Sequence, residues 1–205
     1  GFINFKITTE TLQNHTLKVF SDGHLGVPQA DPAQTIIIDF SAPNVAKPMH
    51  MRHIRSTFIG DCLNRVARSL GHEVITDNHI GDWGTQFGMI IYGWKKYLNK
   101  EALAEDAIRE LVRVYRQVNA EAKADEAVMQ ACRDELVKLQ QGDADNHAIW
   151  QETVDLSLNQ LRSIYDWLGI SFDHYLGESF YNDRLGPVVD ELTEKGLAEE
   201  SDGAM

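Results

Sequence analysis

The segment from Phe40 to Arg55, which reads FSAPNVAKPMHMRHIR, decides how the rest of the sequence is interpreted. It follows a short apolar run, Ile36–Ile38, that predicts a strand, and it leads into a helical pattern. Two histidines three residues apart, His50 and His53, stand where that helix begins, with Lys47 just upstream. Open α/β sheets place their ligand sites at such a strand–turn–helix junction. The sequence therefore predicts an anion-binding site at this turn.

Length and charge limit the possible classes of function. The 205 residues suit one large domain, or one domain and part of another, and a hydrophobic content of 43% supports a core. The sequence runs from Gly1 to Met205 without an obvious terminating element, so we interpret it as a piece of a longer protein. The net charge of −12 disfavours a free-standing nucleic-acid-binding domain. Residues 42–71 nevertheless carry five cations and one anion, which suits an anionic small molecule.

The cysteines and the hydropathy pattern predict a cytoplasmic protein. Cys62 and Cys132 each lie within a helical pattern and are expected to be buried free thiols in a reducing compartment. No apolar run approaches the ~20 residues that a membrane span needs, and no signal-peptide pattern is present. We therefore predict a soluble protein that makes no membrane contact.

The N-terminal residues predict the end of a preceding domain. Phe2–Ile7 alternates partly between apolar and polar residues, which predicts a strand, and Thr9–Phe20 predicts a short amphipathic helix. Asp22–Gln34 contains two glycines and two prolines without periodicity, which is typical of a linker. Residues 1–33 are therefore expected to be the tail of an N-terminal domain and its linker.

A β-loop-α-β unit is predicted next. Its strands would be Thr35–Phe40 and Glu73–Asp77, joined by a helix that opens near His50 and stops at Gly71. The second strand runs into Asn78–Gly88, where two glycines frame an Asp-Trp pair. This second polar segment, like the first, is therefore expected at the end of a strand.

The remaining residues predict mostly helices. Glu101–Gln140 is rich in Ala, Glu, Lys and Arg and predicts a helical hairpin, with residues 101–148 as the whole insertion. Ile149–Leu168 predicts another helix, and Ile170–Leu176 predicts a third strand. Residues 149–180 would therefore return the chain to the sheet.

Histidines at a helix N-terminus are suited to phosphate chemistry. The unpaired backbone N–H groups there are equivalent to roughly half a positive charge. Imidazoles can donate hydrogen bonds to phosphate oxygens whose charge changes during a reaction. Lys47 adds a mobile ammonium group, and Asn44 offers donors and acceptors from the loop. Together with Lys47, His50 and His53 therefore suit the stabilisation of a pentavalent phosphorus in adenylyl transfer.

Each of these features also has a plain structural interpretation. The spacing His-x-x-His arises by chance in many proteins. Zinc binding by His50 and His53 lacks a carboxylate or cysteine at a suitable spacing, so no metal site is predicted. Asp82 and Trp83 would by themselves be a turn residue and a core aromatic. The charged faces of the later helices would be solvated scaffold.

Longer motifs favour the functional interpretation. Asp39–Thr57, which reads DFSAPNVAKPMHMRHIRST, and Asn78–Gly88, which reads NHIGDWGTQFG, resemble the start of the catalytic domain of arginyl-tRNA synthetases. Gly177–Tyr181 and Lys195–Gly203 are similar to later parts of that family, and Gly1–Phe5 is similar to the end of its N-terminal tRNA-binding domain. The resemblance spans most of the chain, and its first two motifs are long and specific.

The resemblance implies an α/β fold, namely the first half of a Rossmann-type parallel-sheet catalytic domain with helical insertions. Residues 34–100 and 149–180 would belong to that domain, and three strands are expected in its sheet. Residues 101–148 would be a helical hairpin insertion, and residues 181–205 would open a connective insertion. An unpaired sheet edge and an exposed apolar face then predict self-association.

The resemblance also implies a reaction for the whole protein. Arginine and ATP, with Mg²⁺, would give arginyl-adenylate and pyrophosphate, and the arginyl group would then pass to tRNA(Arg). The implied catalytic residues are Lys47, His50 and His53. Arginine would be held by Ala42, Pro43, Asn44, His53, Asp82 and Gln86. ATP would be contacted by Lys47, His50, Arg52 and His53.

One residue departs from the family pattern at the centre of its signature. Arg52 directly precedes the second histidine, where the family has a glycine that lets the adenine approach the backbone closely. Arginine there is expected to obstruct ATP while adding ~0.8–1 kcal/mol of helix propensity. The alternative is that its long side chain carries the guanidinium into solvent and has little effect.

Three functions stay open at this point. The family's KMSK-like signature and its anticodon-binding domain are not among these residues, so the 205-residue chain alone is expected to be an inactive part of an arginine–tRNA ligase. A catalytically dead, synthetase-like scaffold is a second possibility, and Arg52 favours it. A small adenylyltransferase with a similar histidine turn is a third, although the Asn78–Gly88 motif argues against it.

Overall fold

Two short parallel strands form the sheet of the computed structural model, which describes residues 1–199. Thr35 lies opposite Glu73, and Asp39 lies opposite Asp77. In chain order the elements are α1 (Thr9–Ser21), β1 (Thr35–Asp39), α2 (Met51–Ser69), β2 (Glu73–Asp77), α3 (Gln86–Tyr97), α4 (Lys100–Glu105), α5 (Ala107–Ala124), α6 (Glu126–Gln140), α7 (Ala144–Leu168), a 3₁₀ turn (Glu178–Tyr181) and α8 (Asn182–Glu194).

The helix α2 connects the two strands, because a parallel pair needs a crossover. Its N-cap is His50, so the helix begins at Met51, within two residues of the predicted start. Gly71 follows its end with φ 85°, a left-handed conformation that glycine adopts without strain. A Cβ atom at Gly60 would lie 2.1 Å from the ring of Phe40, so glycine lets α2 pack directly on the residue after β1. The predicted β-loop-α-β unit is confirmed.

The third strand predicted at Ile170–Leu176 is wrong. Within this segment His174 alone forms a bridge, parallel to Asp77, and its N–H donates to the carbonyl oxygen of Thr76 at 2.9 Å. The carboxylate of Asp173 accepts hydrogen bonds from the N–H and the hydroxyl of Thr76 at 2.8 and 2.9 Å. Side-chain acceptors thus replace the backbone ladder of a strand, and the sheet of the described residues has two strands.

The strand predicted at Phe2–Ile7 is also wrong. Those residues have no regular structure and are exposed, and no strand within the described part of the chain pairs with them. Alternating apolar residues do not form a strand without a partner for their backbone groups. The helix predicted at Thr9–Phe20 is confirmed as α1, and Thr8 caps it by accepting a hydrogen bond from the N–H of Thr11.

The helices α3, α5, α6 and α7 pack around the main apolar core. A Cβ atom at Gly88 of α3 would lie 2.2 Å from the carbonyl oxygen of Cys132, and one at Gly93 would lie 2.3 Å from Val114. Glycine at these two points therefore brings α3 close to α6 and α5. The predicted hairpin corresponds to α5 and α6, with the short α4 before them. No helix among residues 1–199 is both long and apolar enough to span a bilayer.

A largely buried carboxylate, Glu135 on α6, joins three helices. It accepts hydrogen bonds from Lys95 on α3 at 2.5 Å, from Lys138 at 2.8 Å and from Asn146 on α7 at 2.9 Å. Burial by itself would raise the pKa of Glu135, but these hydrogen bonds and the charge of Lys95 outweigh it and lower the pKa to about 2. The ionised carboxylate therefore stabilises the junction of α3, α6 and α7.

Glu135→Gln is expected to lower the free energy of unfolding at pH 7 by about 1–3 kcal/mol, because a charged acceptor is lost. Since the pKa of Glu135 is depressed, its contribution is complete above the ordinary value of 4.5 and is lost as the pH falls towards 2. Chemical denaturation should therefore show a steeper loss of stability in this range for the unchanged chain than for the variant. Glu126→Gln is the control, because the Glu126 side chain is 78% exposed. Equal pH slopes for Glu135→Gln and the unchanged chain would contradict the prediction.

Candidate functional site

The loops after β1 and β2 lie side by side at the carboxyl ends of the two strands. The N–H of Val45 donates to the carbonyl oxygen of Gly81 at 3.1 Å, and the N–H of Gly81 donates to the carbonyl oxygen of Pro43 at 3.1 Å. These bonds continue the parallel pairing beyond the strands, with a bridge between Asn44 and Gly81. The two motifs singled out in the sequence are therefore neighbours.

Three residues of the loop after β1 have a left-handed backbone: Ser41 with φ 77°, Ala42 with φ 47° and Ala46 with φ 55°. Residues other than glycine rarely adopt this conformation, and where they do they cluster at functional sites. Two side chains hold the loop in place. The N–H of Ala42 donates to Oδ1 of Asn78 at 3.0 Å, and the N–H of Ala46 donates to Oγ of Ser157 at 2.9 Å. The loop is therefore fixed both by the end of β2 and by α7.

His50 and His53 form a stacked pair at the first turn of α2, with ring centres 3.9 Å apart. Nδ1 of His50 accepts a hydrogen bond from the N–H of Arg52 at 3.3 Å, and Nδ1 of His53 accepts one from the N–H of His50 at 3.4 Å. Because both Nδ1 atoms are acceptors, the neutral rings carry their protons on Nε2. Two Nε2–H donors are therefore available at the helix N-terminus, where phosphate groups are favoured.

The pKa of His53 is lowered, first by its partial burial and second by the charge of His50. A lowered pKa keeps the ring of His53 neutral at pH 7 and preserves Nδ1 as an acceptor. Because the folded protein favours the neutral ring, His53 makes its full contribution to the free energy of unfolding above the ordinary pKa of 6.5. That contribution is lost as the pH falls below this value. The turn therefore favours the neutral imidazole of His53.

Arg52 is the second residue of α2, and its side chain is exposed. It is not among the residues with positive φ, so its backbone is one that any residue adopts. Glycine is therefore not needed at this position for the shape of the chain. Glycine at this position would instead leave more space beside the two histidines, as its occurrence in the family pattern predicts.

Asn44 and Gln86 meet at Gly81. A Cβ atom at Gly81 would lie 2.1 Å from Oδ1 of Asn44, so the amide of Asn44 lies directly over this glycine. Nε2 of Gln86 donates to the carbonyl oxygen of Gly81 at 3.3 Å. Ala42 and Pro43 precede Asn44 on the same loop. Of these residues, which are predicted to hold arginine, Ala42 and Asn44 are exposed and Pro43 is buried.

Lys47 leaves the same loop towards the helical part of the protein. It is exposed, and its Nζ lies 5.8 Å from the ring centre of Tyr115 on α5, within the range of a cation–π contact. To neutralise a phosphate beside the histidines, the flexible side chain would have to turn away from this ring. Its catalytic role stays a prediction.

Asp82 is engaged inside the fold. Its carboxylate is buried and accepts hydrogen bonds from the N–H of Ser179 at 2.8 Å and from the hydroxyl of Ser179 at 2.6 Å. Its carbonyl oxygen accepts the indole N–H of Trp150 at 2.7 Å. A Cβ atom at Gly177 would lie 2.5 Å from the carboxylate, so glycine provides its space. Asp82 thus anchors the 3₁₀ turn, and contact with arginine, which stays a prediction, would require it to leave Ser179.

Sequence reasoning missed one member of a buried hydrogen-bonded group behind the loop. The hydroxyl of Tyr165 lies 2.7 Å from Oγ of Ser41 and 3.0 Å from Nδ2 of Asn78, and Oγ1 of Thr57 lies 2.7 Å from Oγ of Ser41. Ser41, Thr57 and Asn78 belong to the quoted motifs, whereas Tyr165 fits the apolar stripe of a helix. Its position within an apolar stripe could have pointed to Tyr165, because the hydroxyl of a buried tyrosine needs a hydrogen-bond partner.

Known proteins match this sequence over the whole chain. The family model described as tRNA synthetases class I (R), catalytic domain, matches residues 15–205. The chain is 43% identical to an arginine–tRNA ligase of Fusobacterium nucleatum and 44% identical to one of Cellvibrio japonicus. Each match covers 100% of this chain and 36% of the relative, so the chain spans about a third of the length of these curated relatives.

Solved structures of arginyl-tRNA synthetases are also similar to this chain. The arginyl-tRNA synthetase of Plasmodium falciparum superposes with a TM-score of 0.66 at 34% identity, over 83% of this chain and 28% of that one. The Thermus thermophilus enzyme also has a TM-score of 0.66, over 94% of this chain and 32% of that one, and at 17% identity it supports the fold alone. The predicted α/β class, as part of a Rossmann-type domain, is confirmed. With its sequence motifs, its family match and its fold in agreement, the chain belongs to the catalytic-domain family of class I arginyl-tRNA synthetases.

Proposed function

We propose that the whole protein activates arginine with ATP and transfers it to tRNA(Arg), and that the site described above serves the first step. The pair of Nε2–H donors on His50 and His53, at the first turn of α2, is the observation that carries this proposal. The relatives named arginine–tRNA ligase support it for the whole protein. The 205-residue chain alone, at about a third of their length, is expected to be inactive.

In the activation step an oxygen of the arginine carboxylate attacks the α-phosphorus of ATP. One P–O bond forms, the bond to the bridging oxygen breaks, and pyrophosphate leaves. Negative charge builds up on the phosphorus oxygens in the transition state, and donors aimed at them lower the barrier. The Nε2–H groups of His50 and His53 provide such donors, and the positive end of α2 acts in the same direction. Asn44 orients the arginine, and Lys47 approaches the phosphates when it leaves Tyr115.

Mg²⁺ fits this site as part of the substrate. Among residues 1–199, no three side chains of His, Cys, Asp or Glu lie close enough together to hold a metal ion. Asp82, the carboxylate in the second motif, is already bonded to Ser179. Mg²⁺ commonly enters such sites held largely by the phosphates of ATP and by water. The side chains of this chain then bind the phosphates, and the ion lowers their charge.

The proposal is tested by arginine-dependent exchange of pyrophosphate into ATP, measured with tRNA(Arg) present on the full-length protein. Both arms carry Arg52→Gly so that entry of the nucleotide does not limit the comparison. His50→Ala should reduce the exchange rate about 100-fold, because one donor to the transition state is removed. His15→Ala is the control, since it removes an exposed imidazole on α1. No arginine-dependent exchange in the Arg52→Gly parent would contradict the proposed function.

A catalytically dead, synthetase-like scaffold is the second candidate function, and the presence of Arg52 beside the histidines favours it. It predicts that neither the unchanged protein nor Arg52→Gly catalyses exchange. The small adenylyltransferase considered from the sequence loses its support, because the family match extends over residues 15–205. The cytoplasmic location and the boundaries at residues 33, 100, 148 and 180 remain proposals, and residues 200–205 of the last segment lie outside the described residues.

We propose that the 205-residue chain self-associates through an apolar stripe on α2. Ile59, Leu63 and Val66 follow one another along one face of the helix and are 56%, 55% and 51% exposed. A contiguous apolar surface of this kind marks an interaction site. Light scattering should show a mass that grows with concentration and falls towards the monomer in Leu63→Glu. Trp167→Glu, at a residue of α7 that is 84% exposed, should not lower it. A monodisperse monomer over a wide concentration range would rule this out.

A further inference from the structure

The hydroxyl of Tyr165 joins segments that are far apart in the sequence. Tyr165 lies on α7 and is 1% exposed. Its oxygen is 2.7 Å from Oγ of Ser41, in the loop after β1, and 3.0 Å from Nδ2 of Asn78, directly after β2. The loop after β1 and the end of β2 are therefore attached to the same atom.

The amide of Asn78 fixes the direction of its hydrogen bond with Tyr165. Its Oδ1 accepts the N–H of Ala42 at 3.0 Å, so its NH₂ group faces Tyr165. The phenol oxygen therefore accepts a hydrogen bond from Asn78 and shares a second hydrogen bond with Oγ of Ser41. Burial raises the pKa of Tyr165, although the hydrogen bonds with Ser41 and Asn78 oppose this. The phenol therefore stays protonated at pH 7.

Ser41 extends the connection to the first turns of α2. Its Oγ lies 2.7 Å from Oγ1 of Thr57, which in turn lies 2.7 Å from the carbonyl oxygen of His53. Ser41 itself has φ 77°, a conformation that persists only where the surroundings fix it. One phenol thus supports the turn that leads to Asn44 and, through Thr57, the turn that carries His53.

We propose that Tyr165 is a positioning residue for adenylate formation: its hydroxyl holds the turn at Ser41 and Ala42, and thereby the amide of Asn44 and the imidazole of His53. This inference rests on the proposed function and adds to it a residue of α7. Misplacing reacting groups by about 1 Å can cost on the order of 100-fold in rate. The hydroxyl should therefore matter more for the reaction than for folding.

The test removes the hydroxyl and keeps the ring. Tyr165→Phe retains the packing against Phe172, whose ring centre is 5.0 Å away. Tyr175→Phe is the matched control, because Tyr175 packs against the same Phe172 at 5.5 Å and makes none of the bonds described above. Both changes are made in the full-length protein that carries Arg52→Gly. Tyr165→Phe should lower kcat for arginine-dependent pyrophosphate exchange about 10- to 100-fold and raise KM for arginine. Its thermal midpoint should stay within a few degrees of the control, and an equal kcat in the two variants would overturn the proposal.

Amide hydrogen exchange gives a readout that does not depend on activity. In Tyr165→Phe the N–H groups of residues 41–47 and 53–57 should exchange faster than in Tyr175→Phe, because the turn has lost its anchor. Unchanged exchange in both segments would overturn the proposal on its own. If the parent protein shows no pyrophosphate exchange, only the proposed function is contradicted. Faster amide exchange in Tyr165→Phe would in that case still support the anchoring of the turn by the hydroxyl of Tyr165.

Discussion

Arg52→Gly is expected to raise arginine-dependent pyrophosphate exchange by the full-length protein about 100-fold, which corresponds to about 2.7 kcal/mol. Most of the gain should appear as a lower KM for ATP. The backbone of Arg52 is helical, so glycine changes the space beside His50 and His53 and leaves the course of the chain unaltered. The cost is about 0.8–1 kcal/mol of helix propensity. The gain in nucleotide binding should therefore accompany a small loss of stability.

Two further variants separate the effect of the size of the side chain at position 52 from the effect of its charge. Arg52→Ala removes the guanidinium and keeps Cβ, so its rescue should be smaller than that of glycine if close approach to the backbone is what matters. Arg116→Gly, at an exposed position of α5, removes the same charge and the same helix former away from the histidines and should leave KM for ATP unchanged. If Arg52→Gly leaves KM for ATP unaltered, the guanidinium turns into solvent and the steric argument fails.

Gly81→Ala is expected to raise KM for arginine about 10- to 100-fold while changing the thermal midpoint little. An added Cβ would lie 2.1 Å from Oδ1 and 3.0 Å from Cγ of Asn44, so the amide must leave its place over residue 81. Gly81 has no positive φ, so alanine fits its backbone. Asn44 is exposed and can move aside, which keeps the cost to folding low. The loss should therefore fall on substrate binding, where misplaced groups are costly.

The same measurement on Asn44→Ala tests the cause. If Gly81→Ala acts by displacing Asn44, the double variant should bind arginine no more weakly than Asn44→Ala, because the two changes remove one interaction. Gly186→Ala is the control, since a Cβ atom at Gly186 meets nothing within 4 Å. Additive losses in the double variant would show that Gly81→Ala acts in some other way.

Local patterns predicted those parts of the fold that depend on neighbours in the sequence. The apolar runs of β1 and β2 and the apolar spacing of α2 are short-range signals, and the structure confirms two strands and a helix there. The apolar spacing did not predict which face of α2 is buried, since Phe58 and Val66 are exposed, and Cys62, which was expected to be buried, is exposed as well. The segment at Ile170–Leu176 carries an equally good apolar pattern, yet Asp173 bonds to Thr76 with its side chain and leaves a single bridge at His174. Whether Asp173 or a strand backbone bonds to Thr76 depends on residues about a hundred positions apart in the sequence. The periodicity of apolar residues does not detect such distant contacts.

The candidate site shows the same limit. The family resemblance placed Asn44 and Gln86 in one predicted arginine site, and the structure brings the two residues together at Gly81. The engagement of Asp82 by Ser179 could not be predicted, since 97 residues separate them. Tyr165 and Ser41 are 124 residues apart, and a tyrosine within an apolar stripe gives no sign of which oxygen it will meet. The sequence therefore indicates which residues of the turn carry the chemistry, but it does not reveal the buried residues that hold the turn in place.

The anchor of Ser41 by Tyr165 also sets an order of events during synthesis. The turn at Ser41 leaves the ribosome 124 residues before its supporting phenol, a wait of about 6–25 s at roughly 5–20 residues per second. A left-handed turn without its anchor has no reason to persist in that interval. We therefore expect the turn at Ser41 to be among the last parts of this domain to mature, after the helical core has been made, and expect a chain stalled before α7 to expose it in an unformed state.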